Sequence, residues 1–337
     1  MKAIKKFFSL GLIVLFISCK TEPQKRAFVI TGEAQGSTYA IKYISEREVI
    51  SKIQIDSLLK AFDETLSTYL PTSEISRLNA GDTTVTLDLH FQKTFALSKR
   101  IYESTNGLFN PAIGVLVNAY GFGPVKTLSS PPTAAQIDSL KTFMNFDALR
   151  IEKAVIQGFK PGMYLDFNAI AQGYSVDVLA DFLKSKGIEH AIIELGGEIV
   201  GLGTNVLDEK SWVVGIDDPT QSPEQRTLIA KIALTNKGLA TSGNYRKIKT
   251  DETTGAQFVH ILNPLTGASE KTSILSVTVI ADTCGEADGY ATALMLMTLE
   301  EIKSWSEKNK TIELLVVYAD KNQTQVWETE SLSKLKQ

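Results

Sequence analysis

Asp288 and Thr292 are the pair whose spacing most directly offers chemistry in this chain. On a helix, positions i and i+4 stack on one face. A carboxylate above a hydroxyl gives two hard oxygen donors, suited to Mg2+ or Ca2+ rather than zinc. Small residues surround the pair (Gly289, Ala291, Ala293) and let another backbone approach closely. The plain alternative is an acid in the first turns of a helix, where the dipole favours it. A second run, 165–177, puts Asp166 ahead of small residues that lead into a helix. Such a junction presents an acid and helix N–H groups to a ligand, or else Asp166 merely caps the helix. The third run is 258–267, where His260 precedes a turn made by Asn263-Pro264 and Thr266-Gly267. A titratable ring beside a rigid turn suits a general base or a ligand contact, and it equally suits a structural histidine. His90, on a helix, and His190, opening a strand, read as structural.

The elements that must position these residues follow from periodicity. Two strands, 27–34 and 37–44, meet at Gln35-Gly36, where glycine permits a turn or a close ligand approach. Residues 49–68 have a helical period, with Ile55, Leu58, Leu59, Phe62 and Leu66 on one face. Ser73 reads as the N-cap of a short helix, and further helices are expected over 89–105, 112–120, about 133–144, 170–186 and 284–307. Hairpin strands are predicted at 148–152 and 154–158. A strand end is expected at 164–167, and strands at 191–195, 199–202, 212–217, 228–235, 257–262, 274–281, 312–318 and 324–327. Helices interleaved with hairpins argue for α+β, with mixed or antiparallel sheets.

The 337 residues, 43% hydrophobic and 22% charged, fit a globular protein with a large core. A net charge of −3 without a basic block makes nucleic acid a poor partner. The first residues differ in kind. Lys2, Lys5 and Lys6 precede an apolar run, Phe7 to Ile17, too short to span a bilayer and shaped like the core of a signal peptide. Ser18-Cys19 resembles a bacterial lipobox, although Phe16 stands where leucine is usual. Residues 1–18 are therefore expected to be a lipoprotein signal peptide, Cys19 the lipidated residue, 19–26 a polar tether and 27–337 one domain. The chain has two cysteines. With Cys19 acylated, Cys284 is the remaining thiol and no intrachain disulfide can form, so the core must hold the fold.

In chain order, Gln35-Gly36-Ser37-Thr38-Tyr39, the run 67–79, Gly107-Leu108-Phe109-Asn110-Pro111, the run 166–173, Thr241-Ser242-Gly243 with Tyr245, the run 260–267 and Ala287 to Leu294 resemble the motifs of the FAD:protein FMN transferases, the ApbE family. The resemblance spans about residues 30–320. It implies a T-fold-like single α+β domain, with flanking helices, that binds FAD as substrate. With Mg2+, FMN would pass to a threonine or serine hydroxyl of a target flavoprotein, and AMP would leave. It implies a metal site of Asp288, Thr292 and the Ala169 carbonyl. FAD contacts would come from Gln35, Tyr69, Leu108, Phe109, Asn110, Asp166, Gln172, His260 and Ile261, with His260 or a nearby carboxylate as base. The implied acceptors are subunits of electron-transport complexes of the sodium-translocating NADH:quinone reductase or Rnf type, met outside the membrane that holds the lipid anchor. The same residues would support hydrolysis of FAD to FMN and AMP, or a lipoprotein that binds FAD without chemistry. Some positions depart from the family pattern: Gln35 replaces methionine, Asn110 and Asn263 replace aspartate, Gln172 replaces lysine, and Gly285 stands where some members carry a carboxylate.

Overall fold

A computed structural model describes residues 24–126, 128, 130–221, 227–243, 248–250, 257–269, 272–321 and 323–337. The expected signal peptide, Cys19, the first part of the tether and Tyr245 lie outside the described residues. Strands β1 (Arg26–Ala34) and β2 (Ser37–Ser45) pair with Ala34 opposite Ser37, leaving a two-residue loop. Gln35 and Gly36 have φ of 53° and 71°, the left-handed pair that a tight hairpin of this twist requires. Arg26, assigned to the tether from sequence, is the first residue of β1.

Helices then cover 52–141. They are α1 (Lys52–Leu66), α2 (Glu74–Asn79), α3 (Leu89–Ser104), α4 (Gly114–Ala119) and α5 (Ala134–Lys141). Ser51, Ser73, Asp88 and Thr133 cap α1, α2, α3 and α5, each accepting a backbone N–H. A small hairpin, β3 (Arg150–Glu152) and β4 (Val155–Gln157), precedes α6 (Ala171–Ser185). The chain continues through β5 (Ala191–Leu195), β6 (Glu198–Leu202), β7 (Trp212–Asp217), β8 (Leu228–Leu234), β9 (Lys237–Gly243), β10 (Ile248–Thr250) and β11 (Gln257–Val259). It ends with β12 (Ile274–Ala281), α7 (Cys284–Leu294), α8 (Leu299–Lys308), β13 (Glu313–Asp320) and β14 (Gln323–Glu328).

One eight-stranded sheet, ordered β1-β2-β5-β6-β9-β12-β13-β14, organises the chain, and every neighbouring pair in it is antiparallel. Its centre is buried on both faces. Val277 and Val279 of β12, with Leu314 and Val316 of β13, join the core under the helices. Leu239, Ile280, Leu315 and Val317 point the other way, against the β7–β8 hairpin. Burying each such side chain stabilises the fold by about 1.5–3 kcal/mol relative to exposure, so the core can hold the domain without a crosslink. Cys284 is a free, buried thiol.

Three expectations differ from this architecture. Residues 164–167 form no strand, because their backbone partners lie elsewhere. Asn79 exchanges two hydrogen bonds with the Leu165 backbone, and the Asp166 N–H goes to the Pro111 carbonyl. The single helix expected over 284–307 is two, since Thr298 and Glu301 form a capping box that starts α8 afresh. Strand 257–262 stops at Val259, and β9, at the centre of the sheet, was not anticipated at all.

Candidate active site

The site is built where α6 and α7 cross. Asp288 is buried on α7, and its Oδ2 accepts the Gly173 N–H at 3.0 Å. That N–H belongs to the first turn of α6, where helix donors have no intrahelical partner. In return, Asp177 of α6 reaches the start of α7. Its Oδ1 accepts the Cys284 N–H and its Oδ2 the Gly285 N–H, both at 2.8 Å. Each helix thus carries the acid that caps the other. Gly173 makes the crossing possible, because a Cβ there would lie 2.7 Å from the Asp288 Cβ and 2.8 Å from the Cys284 carbonyl carbon. Gly238 of β9 gives the same room to the backbone of Thr283 and Cys284.

Burial pushes the Asp288 carboxyl up to about 7; the Gly173 hydrogen bond opposes the shift and the Asp177 charge adds to it. Burial raises Asp177 to about 6 against the opposing N–H groups of Gly285 and Cys284. Neither of the groups acting on Asp288 is a cation, so a positive ligand is what would hold it ionised. Thr292 places its Oγ1 3.3 Å from the Ser242 hydroxyl of β9. Ala169 sits in the turn before α6, four residues ahead of the Gly173 N–H that Asp288 takes. Among the described residues no three of histidine, cysteine, aspartate and glutamate gather to hold a metal. One carboxylate, one hydroxyl and one carbonyl leave coordination positions for phosphate oxygens and water, which is how Mg2+ is commonly held. The donor set fits a hard divalent cation.

The first hairpin turn docks on the same end of α6. Gln172 Nε2 donates to the Gln35 carbonyl at 3.4 Å, and Ser175 Oγ donates to Gln35 Oε1 at 3.3 Å. Asp166 is buried, which raises its carboxyl pKa, while hydrogen bonds from Asn168 work the other way. Tyr69, a residue 63% exposed, has its hydroxyl pKa raised by partial burial and then by the Asp166 charge. A cavity of about 420 Å3 opens beside this segment, lined by Asn79, Asn118, Leu140, Met163 and Tyr164 among others. A larger one, about 480 Å3, lies between β1 and α1 and is lined by none of the candidate residues.

The other candidates divide by burial. The Phe109 ring is core, which leaves Tyr69 as the exposed aromatic; Leu108 is half-buried and Ile261 buried. Asn110 uses both ends of its amide, accepting the Ala112 N–H at 2.9 Å and donating to the Met144 carbonyl at 3.1 Å. An aspartate there could make only the first bond, which accounts for the asparagine. His260 is half-buried just past β11, and Asn263 Oδ1 accepts the N–H groups of Leu265 and Thr266 to shape the following turn. At Gly285 a Cβ would stand 3.1 Å from both Leu97 and the Tyr174 Cα, so the place of a carboxylate is filled from α3 and α6. His90 lies 3.3 Å from the Tyr174 hydroxyl, and His190 accepts the Thr204 N–H. Asp177 was not singled out, because an acid on an amphipathic helix reads as solvent-facing.

The class of protein is defined by family comparison. The ApbE family model matches residues 35–316, and the chain belongs to that family. Among its relatives are proteins named FAD:protein FMN transferase. The one from Haemophilus influenzae is 30% identical over 95% of this chain and 94% of its own length. The one from Vibrio cholerae is 33% identical over 93% of each. A solved structure, the flavin transferase ApbE from Vibrio cholerae, superposes with a TM-score of 0.81 at 31% identity, covering 93% of this chain and all of that one. The expected α+β single-domain fold is borne out by that likeness.

Proposed function

We propose that the protein is a flavin transferase that moves the FMN half of FAD onto a threonine or serine hydroxyl of a partner protein. The observation that carries this reading is the buried Asp288, stacked with Thr292 beside the first turn of α6, in a chain with the family's motifs in order. Bound at Asp288, Thr292 and the Ala169 carbonyl, Mg2+ would supply charge neutralisation at the pyrophosphate. Asp288 keeps one carboxylate oxygen on the Gly173 N–H, so its other oxygen is the one free to ligate. The Gln35 turn, Gln172 and Tyr69 hold the dinucleotide. His260 takes the proton as the acceptor oxygen bonds to the FMN-side phosphorus, and the bridging P–O bond breaks with its oxygen leaving on AMP. The lipobox-like start and the polar tether support a lipid-anchored enzyme facing the periplasm or cell exterior. There it would meet acceptor subunits of electron-transport complexes of the sodium-translocating NADH:quinone reductase or Rnf type.

The test incubates the purified chain with FAD and Mg2+, with and without an acceptor carrying a flavinylation-type threonine, and follows AMP and acceptor mass together. A gain of one FMN on the acceptor, lost in Asp288→Ala, is the expected result. AMP and free FMN without acceptor modification would make the protein a pyrophosphatase, and FAD binding with neither product would make it a binding protein.

A further inference from the structure

We infer that Asp177 is a positioning residue for the divalent-cation site, acting through the start of α7; the inference rests on the reading of Asp288 and Thr292 as cation ligands. The start of α7 has three N–H groups ahead of its first intrahelical bond, which runs from Ala287 to the Thr283 carbonyl. Asp177 takes two of them, at Cys284 and Gly285, and the Thr283 hydroxyl takes the third, from Glu286, at 3.3 Å. No side chain of α7 itself supplies the first two bonds. The carboxylate that does so stands on the neighbouring helix, two turns into α6.

The consequence is geometric. Asp288 lies one turn beyond the N–H groups that Asp177 holds, and Thr292 one turn beyond that. Asp288 in turn is tied to the first turn of α6 through Gly173. The two ties run in opposite senses between the same pair of helices, so together they fix sliding as well as separation. Removing the Asp177 tie leaves α7 free to shift along α6, and both side-chain ligands shift with it relative to the Ala169 carbonyl. Partners that orient a metal ligand without touching the metal typically carry about 10–100-fold in metal affinity. Asp177→Asn is the sharp variant. Its amide oxygen can accept one N–H, but its amide nitrogen then faces the other N–H, donor against donor.

The probe is Mn2+, titrated into the purified full chain and read by electron paramagnetic resonance, with thermal unfolding recorded on the same samples. Asp177→Asn is expected to weaken Mn2+ binding about 10–100-fold, with FAD:protein transfer restored by raising Mg2+. Asp177→Ser, whose single short hydroxyl cannot serve both N–H groups yet sets no donor against them, is expected to weaken it to a similar degree, and it decides the question alone should Asp177→Asn fail to fold. A folded Asp177→Asn that melts lower yet binds Mn2+ as the wild type does assigns the residue a structural role only and overturns the inference. Unchanged binding in Asp177→Ser, where it is the only folded variant, does the same. A wild-type chain that binds no Mn2+ overturns the metal site itself, a different failure from a bound ion indifferent to residue 177.

Discussion

Gly173→Ala should separate two helices by a distance that can be worked out in advance. The new methyl group would sit 2.7 Å from the Asp288 Cβ and 2.8 Å from the Cys284 carbonyl carbon, whereas carbon atoms rest at about 3.5–4.0 Å. One of those neighbours is backbone, so the helices must move apart by about 1 Å. Overpacking of this kind costs about 1–3 kcal/mol. The Gly173–Asp288 bond, 3.0 Å at present, would be stretched beyond hydrogen-bonding range, costing about 1.5–3 kcal/mol more above about pH 7, where the Asp288 carboxyl is ionised. Alanine returns up to about 1 kcal/mol through its helix propensity. The net loss is about 1.5–6 kcal/mol, to be read from urea midpoints at constant slope. Because the shift falls on the ligand-bearing helix, transferase activity should drop by about 100-fold, the scale expected for a 1 Å misplacement. A variant with the wild-type midpoint and wild-type activity would refute the idea that the glycine notch sets the site.

Two buried acids with raised pKa values also give stability a pH dependence of known sign. In the metal-free protein the folded state holds protons on Asp177 up to about pH 6 and on Asp288 up to about pH 7, while the unfolded chain releases them near 4. The folded state binds more protons in that window, so unfolding free energy should fall as pH rises from about 4 to 7. Excess Mg2+ should remove the part of the decline that belongs to Asp288, since a cation favours its ionised form; unfolding midpoints at several pH values with and without Mg2+ check this. Gly238→Ala, whose Cβ would collide with the Thr283–Cys284 backbone, should cost about 3 kcal/mol or more, visible as loss of soluble protein or a lowered urea midpoint. Tyr69→Ala should leave stability within about 0.5 kcal/mol and raise the KM for FAD by about 2–10-fold, the value of an aromatic contact. Phe109→Ala should instead destabilise by about 3–5 kcal/mol.

The legible parts of the fold were those in which local chemistry decides alone. The Gln35-Gly36 turn, the Ser73 and Thr133 caps and the apolar face of α1 all appear where spacing placed them. Strand β9 gave no signal because Lys-Gly-Leu-Ala-Thr-Ser-Gly is poor in β-branched and aromatic residues. Its small residues serve the start of α7 above them, a tertiary demand invisible in a window of seven. The 164–167 segment misled for the opposite reason. Its residues are largely apolar and read as a strand end, but its partners are the Asn79 side chain and the Pro111 carbonyl, both distant in sequence. The i, i+4 spacing of Asp288 and Thr292 is visible in the sequence, whereas Asp177 bonds across a helix crossing and leaves no local pattern. Phe109 lies in a motif, yet its ring belongs to the core.

The sheet divides into two four-stranded halves, β1-β2-β5-β6 and β9-β12-β13-β14, joined by only three residue pairs between β6 and β9. On one side of that seam, the β7–β8 hairpin packs against Ile192 and Ile199 of the first half and Leu239 and Leu315 of the second. On the other side, α6 from the first half and α7 from the second are bolted together by Asp177, Asp288 and the Gly173 notch. The residues that shape the site are therefore also a mechanical fastener. Pulling the halves apart would break the Asp177 and Asp288 ties in one event, so a chain stretched or partly denatured along this seam should lose the helix crossing at the moment the halves disengage, with the strand pairing inside each half still intact.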